Sequence, residues 1–394
     1  MVPPAPIQNF PVEKSGQTVN SKALIPDSIL ALVQSFEFSV SKNNVSIAQF
    51  LLSCFLMNLF KKDPIQIINF HSYGTSNHLY VKGRAIEDEG IDLTKTGFFS
   101  LLRNSWKRFE TDKVKNTKLT LTLPDGRTIE TVTDTQGYFL IDEMVNDLTS
   151  LADEEGWLHY SISFKDKVVS REIQENNNFL GEVLIPSEEA EFGVISDIDD
   201  TILHTGLTSR FKWAVVKNTI FKSAENRIPF EGAADFYTKL HQGKLGENCN
   251  PVFYVSHSPW NLYCYLELFL SVNDFPKGPI LLRDFANPFT SIFQPKEKGE
   301  KPEKQREIQN ILKTYPNLPF ILIGDSGEHD PDIYIEIAEA HPERILAIYM
   351  RSVNHRRKMI RVEGLFKEYE TVPVLLVENS EEAIKHVRQM GFLN

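Results

Sequence analysis

The second half of the chain alternates between two kinds of segment: short runs that are apolar throughout, and longer stretches with the spacing of amphipathic helices. The apolar runs include FGVIS, VFYVSHS, FILIGDS and RILAIYM, which begin at residues 192, 252, 320 and 344. Strands that are buried on both faces and separated by helices are typical of a parallel sheet with right-handed crossover connections. Residues 189–394 are therefore predicted to form an α/β domain, in which a ligand binds at the carboxyl ends of the strands.

Residues 65–188 show a different pattern, with short β-rich runs and close turns. In TLTLPDGRTIETV, which begins at residue 120, alternating side chains flank a Pro-Asp-Gly turn, and this arrangement predicts a β-hairpin. Several such strands joined by short turns predict a small antiparallel, all-β sandwich domain. The segment TVTDTQGYFLI (131–141) resembles the Asp-x-x-Gly-aromatic-Phe hairpin of transthyretin-like sandwich domains.

The first 64 residues are predicted to contain two segments. Residues 1–44 hold prolines and scattered polar residues without a sustained period, and are predicted to be a flexible leader. Residues 45–64 are predicted to form an apolar helix, with Lys61 and Lys62 near its end. Its apolar stretch is shorter than the roughly 20 residues of a membrane span, so the helix is expected either to dock on a domain or to lie on a membrane surface.

Composition excludes some classes of function. The net charge of −11 argues against a general nucleic-acid binder, because affinity for the phosphate backbone comes from clustered Lys and Arg. The three cysteines are odd in number and lack the spacing of metal ligands, which indicates a reducing compartment. We therefore expect a cytoplasmic protein, with a peripheral position at a membrane as the alternative.

Three aspartates lie within four positions directly after the first apolar run, in SDIDDT (196–201): Asp197, Asp199 and Asp200. Carboxylates gathered so closely repel one another, so a fold that brings them together needs a cation or a shared proton. Four further polar side chains fall at strand ends or helix starts of the predicted α/β domain: Ser256, Lys304, Asp325 and Asp330. Because Mg²⁺ prefers carboxylate, water and phosphate oxygens, the pattern predicts a magnesium and phosphate site.

These blocks, in this order, resemble the haloacid-dehalogenase superfamily of phosphohydrolases. DIDDT matches the D-x-D-x-T/V loop of that superfamily, and GDSGEHD (324–330) matches its GD-x₄-D acidic loop. Ser256 matches the Ser or Thr that ends the second strand, and Lys304 matches the Lys before the fourth strand. The longer blocks FYVSHSPWNLY and FILIGDSGEHDPDIY resemble a narrower family, the DxDxT magnesium-dependent phosphatidate phosphatases of the actin-patch type, relatives of the lipin catalytic domain. The resemblance implies a Rossmannoid fold for residues 189–394, preceded by a β-rich domain.

The resemblance also implies catalytic and phosphate-binding roles. Asp197 would attack phosphorus to form an aspartyl-phosphate. Asp199 would protonate the leaving alkoxide and then deprotonate the water that hydrolyses the intermediate. Thr201, Ser256 and Lys304 would bind the phosphoryl oxygens.

The metal ligands implied by the resemblance are four aspartates. Mg²⁺ would be bound by the Asp197 carboxylate, the main-chain carbonyl of Asp199 and Asp325, with Asp330 in a supporting position. Lys301 is the alternative to Lys304 within a run of charged residues, most of which are expected to face solvent.

Five further residues are candidates for contact with the rest of the substrate: His257, Trp260, Asn261, Arg283 and Arg351. The two arginines end apolar strands at the same predicted edge, and each is expected either to bind a second anionic group or to pair with a carboxylate. The basic, aromatic segment 209–227 is expected either to reach an anionic lipid surface or to form an ordinary amphipathic helix.

Two other interpretations of the motifs fit less well. An EF-hand calcium loop needs Gly at its sixth position and Glu at its twelfth, where this chain has Ile202 and Thr208. Ser326 in IGDSG stands near a strand end, as some serine nucleophiles do, but the G-x-S-x-G elbow is absent.

The function expected from the sequence is Mg²⁺-dependent hydrolysis of a phosphomonoester through an aspartyl-phosphate. The narrower resemblance implies phosphatidate as the substrate, at a membrane surface, with diacylglycerol as the product. One alternative is a phosphatase that acts on a soluble phosphomonoester or a phosphoprotein. The other is a non-catalytic module that binds phosphatidate.

Overall fold

Two β-sheets follow one another along the chain, and helices flank the second. The computed structural model describes residues 64–87, 113–165, 172–198, 201–202, 232–244, 246, 250–283, 303–326, 329–352, 356–367 and 369–394, with the backbone alone at 356–358. The predicted leader, residues 45–63 of the predicted apolar helix and the basic segment 209–227 lie outside these residues.

The first sheet contains eight described strands and is antiparallel apart from one pair. The strands are β1 (Ile65–Asn69), β2 (Ser72–Thr75), β3 (His78–Glu87), β4 (Lys118–Thr122), β5 (Thr128–Val132), β6 (Tyr138–Met144), β7 (Trp157–Phe164) and β8 (Phe179–Leu184). Their order is β1-β3-β2-β8-β7-β4-β5, with β6 paired to β3, and the parallel pair is β2 with β8. This confirms the predicted antiparallel region before the α/β part of the chain.

The predicted hairpin is the antiparallel pair of β4 and β5. In its turn, the Leu123 N–H donates to the Arg127 carbonyl at 2.9 Å, and Gly126 takes a φ of 88°, where a side chain would be strained. A second turn leads into β6, where Asp134 Oδ1 accepts from the Tyr138 N–H at 2.9 Å. Both turns place short polar residues and glycine where the sequence pattern indicated.

The second sheet contains six parallel strands within the described residues. They are β9 (Gly193–Ser196), β10 (Val252–Pro259), β11 (Ile280–Arg283), β12 (Phe320–Asp325), β13 (Ile345–Arg351) and β14 (Val374–Val377). The described helices are α1 (Ala233–Gln242), α2 (Tyr263–Val272), α3 (Glu303–Thr314), α4 (Asp330–Ala340), α5 (Arg356–Phe366) and α6 (Ser380–Gln389), and a short 3₁₀ turn, Trp260–Leu262, precedes α2.

The strand order β11-β10-β9-β12-β13-β14 confirms the predicted Rossmannoid arrangement. Strand β9 comes first along the chain but lies in the middle, with β10 on one side and β12 on the other. The order therefore reverses at β9, and residues that follow β9, β10 and β12 share one edge of the sheet. This edge is where the sequence placed the candidate site.

Buried side chains cover both faces of the second sheet. On β9, Val194 belongs to the cluster that packs on α1 and α2, and its neighbour Ile195 belongs to the cluster that packs on α3 and α4, because successive strand residues point to opposite faces. The first sheet has its own apolar core, but it also contributes Phe70 to the former cluster and Tyr73 to the latter. Residues 63–394 accordingly form one compact unit. The domain boundary at residues 188/189 stays a prediction.

None of the helices in the described part of the chain combines the length and apolar composition that a membrane span requires.

Candidate active site

Three buried aspartates meet where β9 and β12 end. Asp197 directly follows β9, Asp325 is the last residue of β12, and Asp330 is the first residue of α4. Each offers a carboxylate oxygen within 4.8 Å of the others, and none is more than 2% exposed. The Asp197 N–H donates to the Ile323 carbonyl at 2.9 Å, so the sheet pairing itself holds the first two strand ends together. The predicted convergence of acidic side chains from neighbouring strand ends is present.

Gly324 allows Asp330 to approach the strand end. A Cβ on Gly324 would lie 2.6 Å from Asp330 Oδ2 and 2.8 Å from a ring carbon of Tyr334. The chain turns after β12 and enters α4 with Pro331 in the first helical turn, a position where the missing proline N–H costs no hydrogen bond. The sequence GDSGEHDP thus returns the second acidic residue of the loop to the strand that carries the first.

Lys304 is the cation that the structure places among these carboxylates. It comes from the first turn of α3, and its Nζ donates to Asp197 Oδ1 at 2.7 Å and to Asp330 Oδ1 at 2.5 Å. Burial alone would lower the pKa of Lys304, but the charges of Asp197 and Asp330 outweigh it and hold this pKa well above its usual value. The ammonium group is therefore charged at neutral pH.

The donor set fits a hard divalent cation. With all three carboxylates ionised, the cluster and its one ammonium group would carry two net negative charges, which a divalent cation would balance. Within the described residues, Asp330 Oδ2 is buried without a hydrogen-bond partner, so it has an acceptor position to offer. The group has only oxygen donors, which is the ligand chemistry of Mg²⁺ rather than of zinc.

The predicted phosphate-binding residues border this cluster. Thr201 Oγ1 donates to Asp197 Oδ2 at 3.2 Å, so Lys304 and Thr201 each hold one oxygen of the same carboxylate. Ser256 is buried near the end of β10, the strand beside β9, and its Oγ accepts from the Ser258 N–H at 2.8 Å. Ser326, the alternative nucleophile, directs its hydroxyl to Met359 Sδ at 3.2 Å.

Arg351 lies beside the cluster and lines a cavity. It is the last residue of β13 and stands in register with Asp325 on β12. Burial lowers the pKa of Arg351 to about 10, so the guanidinium stays charged at neutral pH. The cavity runs from Thr201 past Arg351 to Ser380, with Phe236 among its apolar walls.

The other predicted substrate residues lie toward the first sheet. Trp260 is 3% exposed and packs against Arg84 of β3, with the guanidinium carbon 4.0 Å from the ring centroid. Asn261 is buried beside it, His257 is half-buried near the end of β10, and Arg283 ends the edge strand β11. A second cavity lies here and is lined by Trp260 and Tyr263 and by Phe70, Tyr73 and Tyr80.

Several predicted residues lie outside the described part of the chain. They include Asp199 and Asp200 of the DIDDT segment and Lys301, the alternative to Lys304. The general acid–base role of Asp199 and its metal contact therefore stay predictions.

The structure also shows two contacts that the sequence did not indicate. The hydroxyl of Tyr237 on α1 lies 2.5 Å from the Oγ of Ser196, the residue that precedes Asp197. Burial raises the pKa of the Tyr237 phenol. Arg84 of β3 packs on Trp260, next to the end of β10. A helical period can indicate that Tyr237 is buried, but no local signal pairs either residue with a partner so far along the chain.

Comparisons with known proteins match the part of the chain that carries this site. Residues 192–352 match the family model described as phosphatidate phosphatase APP1, catalytic domain. The chain is 38% identical over 159 residues to phosphatidate phosphatase APP1 of Saccharomyces cerevisiae, which is 40% of this chain and 25% of that protein. It is 30% identical over 226 residues to an uncharacterized protein of Schizosaccharomyces pombe, covering 56% of this chain and 34% of the relative.

The matched segments span only 25% and 34% of the length of these two relatives. The matched range nevertheless contains all three clustered aspartates, Lys304 and Ser256, and it runs from the start of β9 to the end of β13. Residues 192–352 are therefore similar to the catalytic domain of the phosphatidate phosphatase APP1 family.

Proposed function

We propose that this protein is a Mg²⁺-dependent phosphomonoesterase that hydrolyses phosphatidate to diacylglycerol through an aspartyl-phosphate. The observation that carries the proposal is the buried group of Asp197, Asp325, Asp330 and Lys304 at the ends of β9 and β12, within the segment that matches the family model. Such a group suits phosphoryl transfer, where catalysis depends on positioning and on neutralising the charge of the phosphoryl oxygens.

Asp197 is the nucleophile in this proposal. Its Oδ1 accepts from Lys304 and its Oδ2 from Thr201, and these donors favour the ionised, nucleophilic form and fix its orientation. The carboxylate forms a bond to phosphorus as the bond to the leaving alkoxide breaks, and the alkoxide takes a proton from Asp199. Asp199 then accepts a proton from the water that attacks the aspartyl-phosphate, which releases orthophosphate and regenerates the Asp197 carboxylate.

The metal would be held by Asp197 and Asp325, with the Asp199 carbonyl and Asp330 completing the protein's ligands. A bound Mg²⁺ would neutralise negative charge on the phosphoryl group that is transferred. Lys304 would add its positive charge to the same oxygens, while Ser256 and Thr201 would donate hydrogen bonds to them.

The cavity beside Arg351 is the proposed site for the leaving alcohol. It starts at Thr201, which contacts the nucleophile, and Arg351 is a cation within it. His257, Asn261 and Arg283 remain candidates for contact with a larger substrate at the β10–β11 side. Trp260 is proposed to support the β10–β11 side of the site without contacting the substrate, because its ring packs on Arg84.

The substrate phosphatidate is a membrane lipid, so we propose a cytoplasmic enzyme that works at a membrane surface. A soluble phosphomonoester is the second candidate substrate. The polar lining of the cavity beside Arg351, which includes Thr201 and Ser380, supports it, because these groups suit a polar alcohol.

The test is phosphate release from phosphatidate in mixed micelles and from soluble phosphomonoesters, each with and without Mg²⁺. Wild type should release phosphate from phosphatidate only with the metal, and Asp197→Asn and Asp199→Asn should abolish turnover. The matched control is Asp332→Asn on α4, since Asp332 is exposed and pairs with Arg361, and it should retain wild-type rates. Wild-type rates for Asp197→Asn would show that the assigned nucleophile is wrong, and turnover of soluble esters alone would favour the second candidate.

A further inference from the structure

The two elements that carry Ser256 and Lys304 both rest on the first sheet. Ser256 lies on β10, which continues through the turn Trp260–Leu262 into α2, and Lys304 lies in the first turn of α3. The first sheet contacts the segment after Ser256 through β3 and the β1–β2 turn, and it contacts α3 through β2 and β3. The first sheet itself lies outside the catalytic-domain match, which begins at residue 192.

Arg84 contacts the turn that follows Ser256. Its guanidinium carbon lies 4.0 Å from the Trp260 ring centroid and 4.5 Å from that of Tyr138, and Arg84 is only 3% exposed. Its Nε donates to the Gln136 carbonyl at 2.9 Å, which fixes the plane of the guanidinium within the first sheet. A desolvated cation over two aromatic rings is a strong and directional contact, so Arg84 holds Trp260 at a defined position four residues after Ser256.

The β1–β2 turn holds the helix that follows. The His71 N–H donates to Tyr263 Oη at 2.7 Å, and the Phe70 and Tyr263 rings pack with centroids 4.9 Å apart. His71 Nε2 lies 3.0 Å from Glu267 Oε1, one turn further along α2. The segment from Trp260 to Glu267 is therefore anchored to the first sheet at three successive points.

Helix α3 is anchored in the same way beyond Lys304. Lys82 Nζ donates to Glu307 Oε1 at 3.2 Å, one turn after Lys304, and Asn310 Nδ2 donates to Tyr73 Oη at 2.6 Å in the next turn. Just after the helix, Tyr315 Oη donates to the Gly74 carbonyl at 2.9 Å.

We propose that the first sheet is a scaffold that positions the phosphate-binding groups, with Arg84 acting through Trp260 on Ser256 and Lys82 acting through Glu307 on Lys304. Arg84 and Lys82 are positioning residues, since neither touches the reacting atoms. The proposal rests on the function proposed above for Ser256 and Lys304. It gives the β-rich half of the chain a role in catalysis, because a displacement of about 1 Å in a group that holds a reactant can reduce the rate about a hundredfold.

The test compares Arg84→Gln and Arg84→Lys with two controls in the same sheet. Arg127→Gln removes an exposed arginine of the β4–β5 turn, and Ile141→Val removes a methylene from the first sheet's own core, which lowers stability without touching the second sheet. For each protein the measurements are kcat and KM on the best ester, the inhibition constant of orthophosphate, and orthophosphate binding to the Mg²⁺-loaded protein by calorimetry. The last measurement needs no turnover.

Arg84→Gln should lower kcat/KM about tenfold and weaken orthophosphate binding by a similar factor, which is the size of a buried cation–π contact. Arg84→Lys keeps the positive charge and should recover part of kcat/KM and part of the affinity for orthophosphate. If Arg84→Gln fails to fold, Arg84→Lys is the variant compared with wild type. Lys82→Gln should also weaken orthophosphate binding. Both controls should match wild type.

Orthophosphate binding by Arg84→Gln within twofold of wild type, or an equal loss in Ile141→Val, would overturn the proposal. Absence of turnover in wild type would instead reject the proposed function, and the calorimetric comparison would still decide whether the first sheet positions a phosphate site.

Discussion

His71 connects the first sheet to helix α2 through two carboxylates, and this connection predicts how stability depends on pH. Its Nε2 lies 3.0 Å from Glu182 Oε2 and 3.0 Å from Glu267 Oε1. Burial alone would lower the pKa of His71, but hydrogen bonds and charges of the two glutamates outweigh burial and raise this pKa from 6.5 to about 9. The hydrogen bond from His71, together with Lys277, lowers the pKa of Glu182 to about 2, so this carboxylate stays ionised throughout the range of interest.

The sign and size of the effect follow from linkage. A histidine with a higher pKa in the folded state stabilises the fold through its protonated form, so the contribution is fully present below pH 6.5 and is lost as the pH rises through about 9. The rise in pKa corresponds to about 3 kcal/mol, of which about 2.5 kcal/mol should be lost between pH 7 and pH 10.

The measurement is the free energy of unfolding in urea from pH 6 to pH 10 for wild type and His71→Gln. The difference between the two isolates His71, because both proteins share all other titrating groups, and it should shrink by about 2.5 kcal/mol above pH 7. Ile141→Val is the control, since it lowers stability through the core of the first sheet and changes no titratable group, and its difference from wild type should not depend on pH. Parallel curves for wild type and His71→Gln would refute the assignment of a stabilising protonated histidine.

Three substitutions test the candidate site by stability. Lys304→Met should lower the free energy of unfolding by about 3–5 kcal/mol in urea titrations, because it leaves buried carboxylates uncompensated, whereas Lys313→Met on the exposed side of α3 should not. Gly324→Ala should lower the free energy of unfolding by about 1–3 kcal/mol, because its Cβ would clash with Asp330. Gly364→Ala is the control and should be neutral or stabilising, because its Cβ meets open space. An unchanged stability of Gly324→Ala would contradict the close approach of Asp330. Adding Mg²⁺ should raise the thermal midpoint of wild type, since a ligand of the folded state stabilises it, and Asp325→Asn should remove most of that rise.

The parallel sheet and the convergence of acidic residues at its strand ends could be predicted because their signals are local. Apolar runs define the strands, and Asp197, Asp325 and Ser256 directly follow or end those runs, so the topology alone brings them to one edge. Lys304 could be selected from a charged run because the family resemblance places a lysine before the fourth strand.

The contacts between the two sheets could not be predicted in the same way. In the sequence, Arg84 resembles any other residue of strand β3, and Trp260 fits a pocket and a core position equally well. Their partnership depends on how one sheet packs on the other, and hydrophobic periods give no information on that choice. The same holds for the contact between His71 and Glu267, because the raised pKa of His71 exists only in the folded state.

The charge of the aspartate cluster also predicts that a metal ion binds before phosphate. Asp197, Asp325 and Asp330 come from separate elements, so their repulsion acts mainly in the folded state, and Lys304 compensates only one of the three charges. A phosphate group would bring further negative charge into this buried and already negative site, where repulsion is stronger than in water. Orthophosphate should therefore bind wild type measurably only after Mg²⁺, and calorimetry should show at least a tenfold weaker affinity in a chelator. Equal affinity with and without the metal would mean that the carboxylates are neutralised by protons instead, and that the cluster is not a cation site.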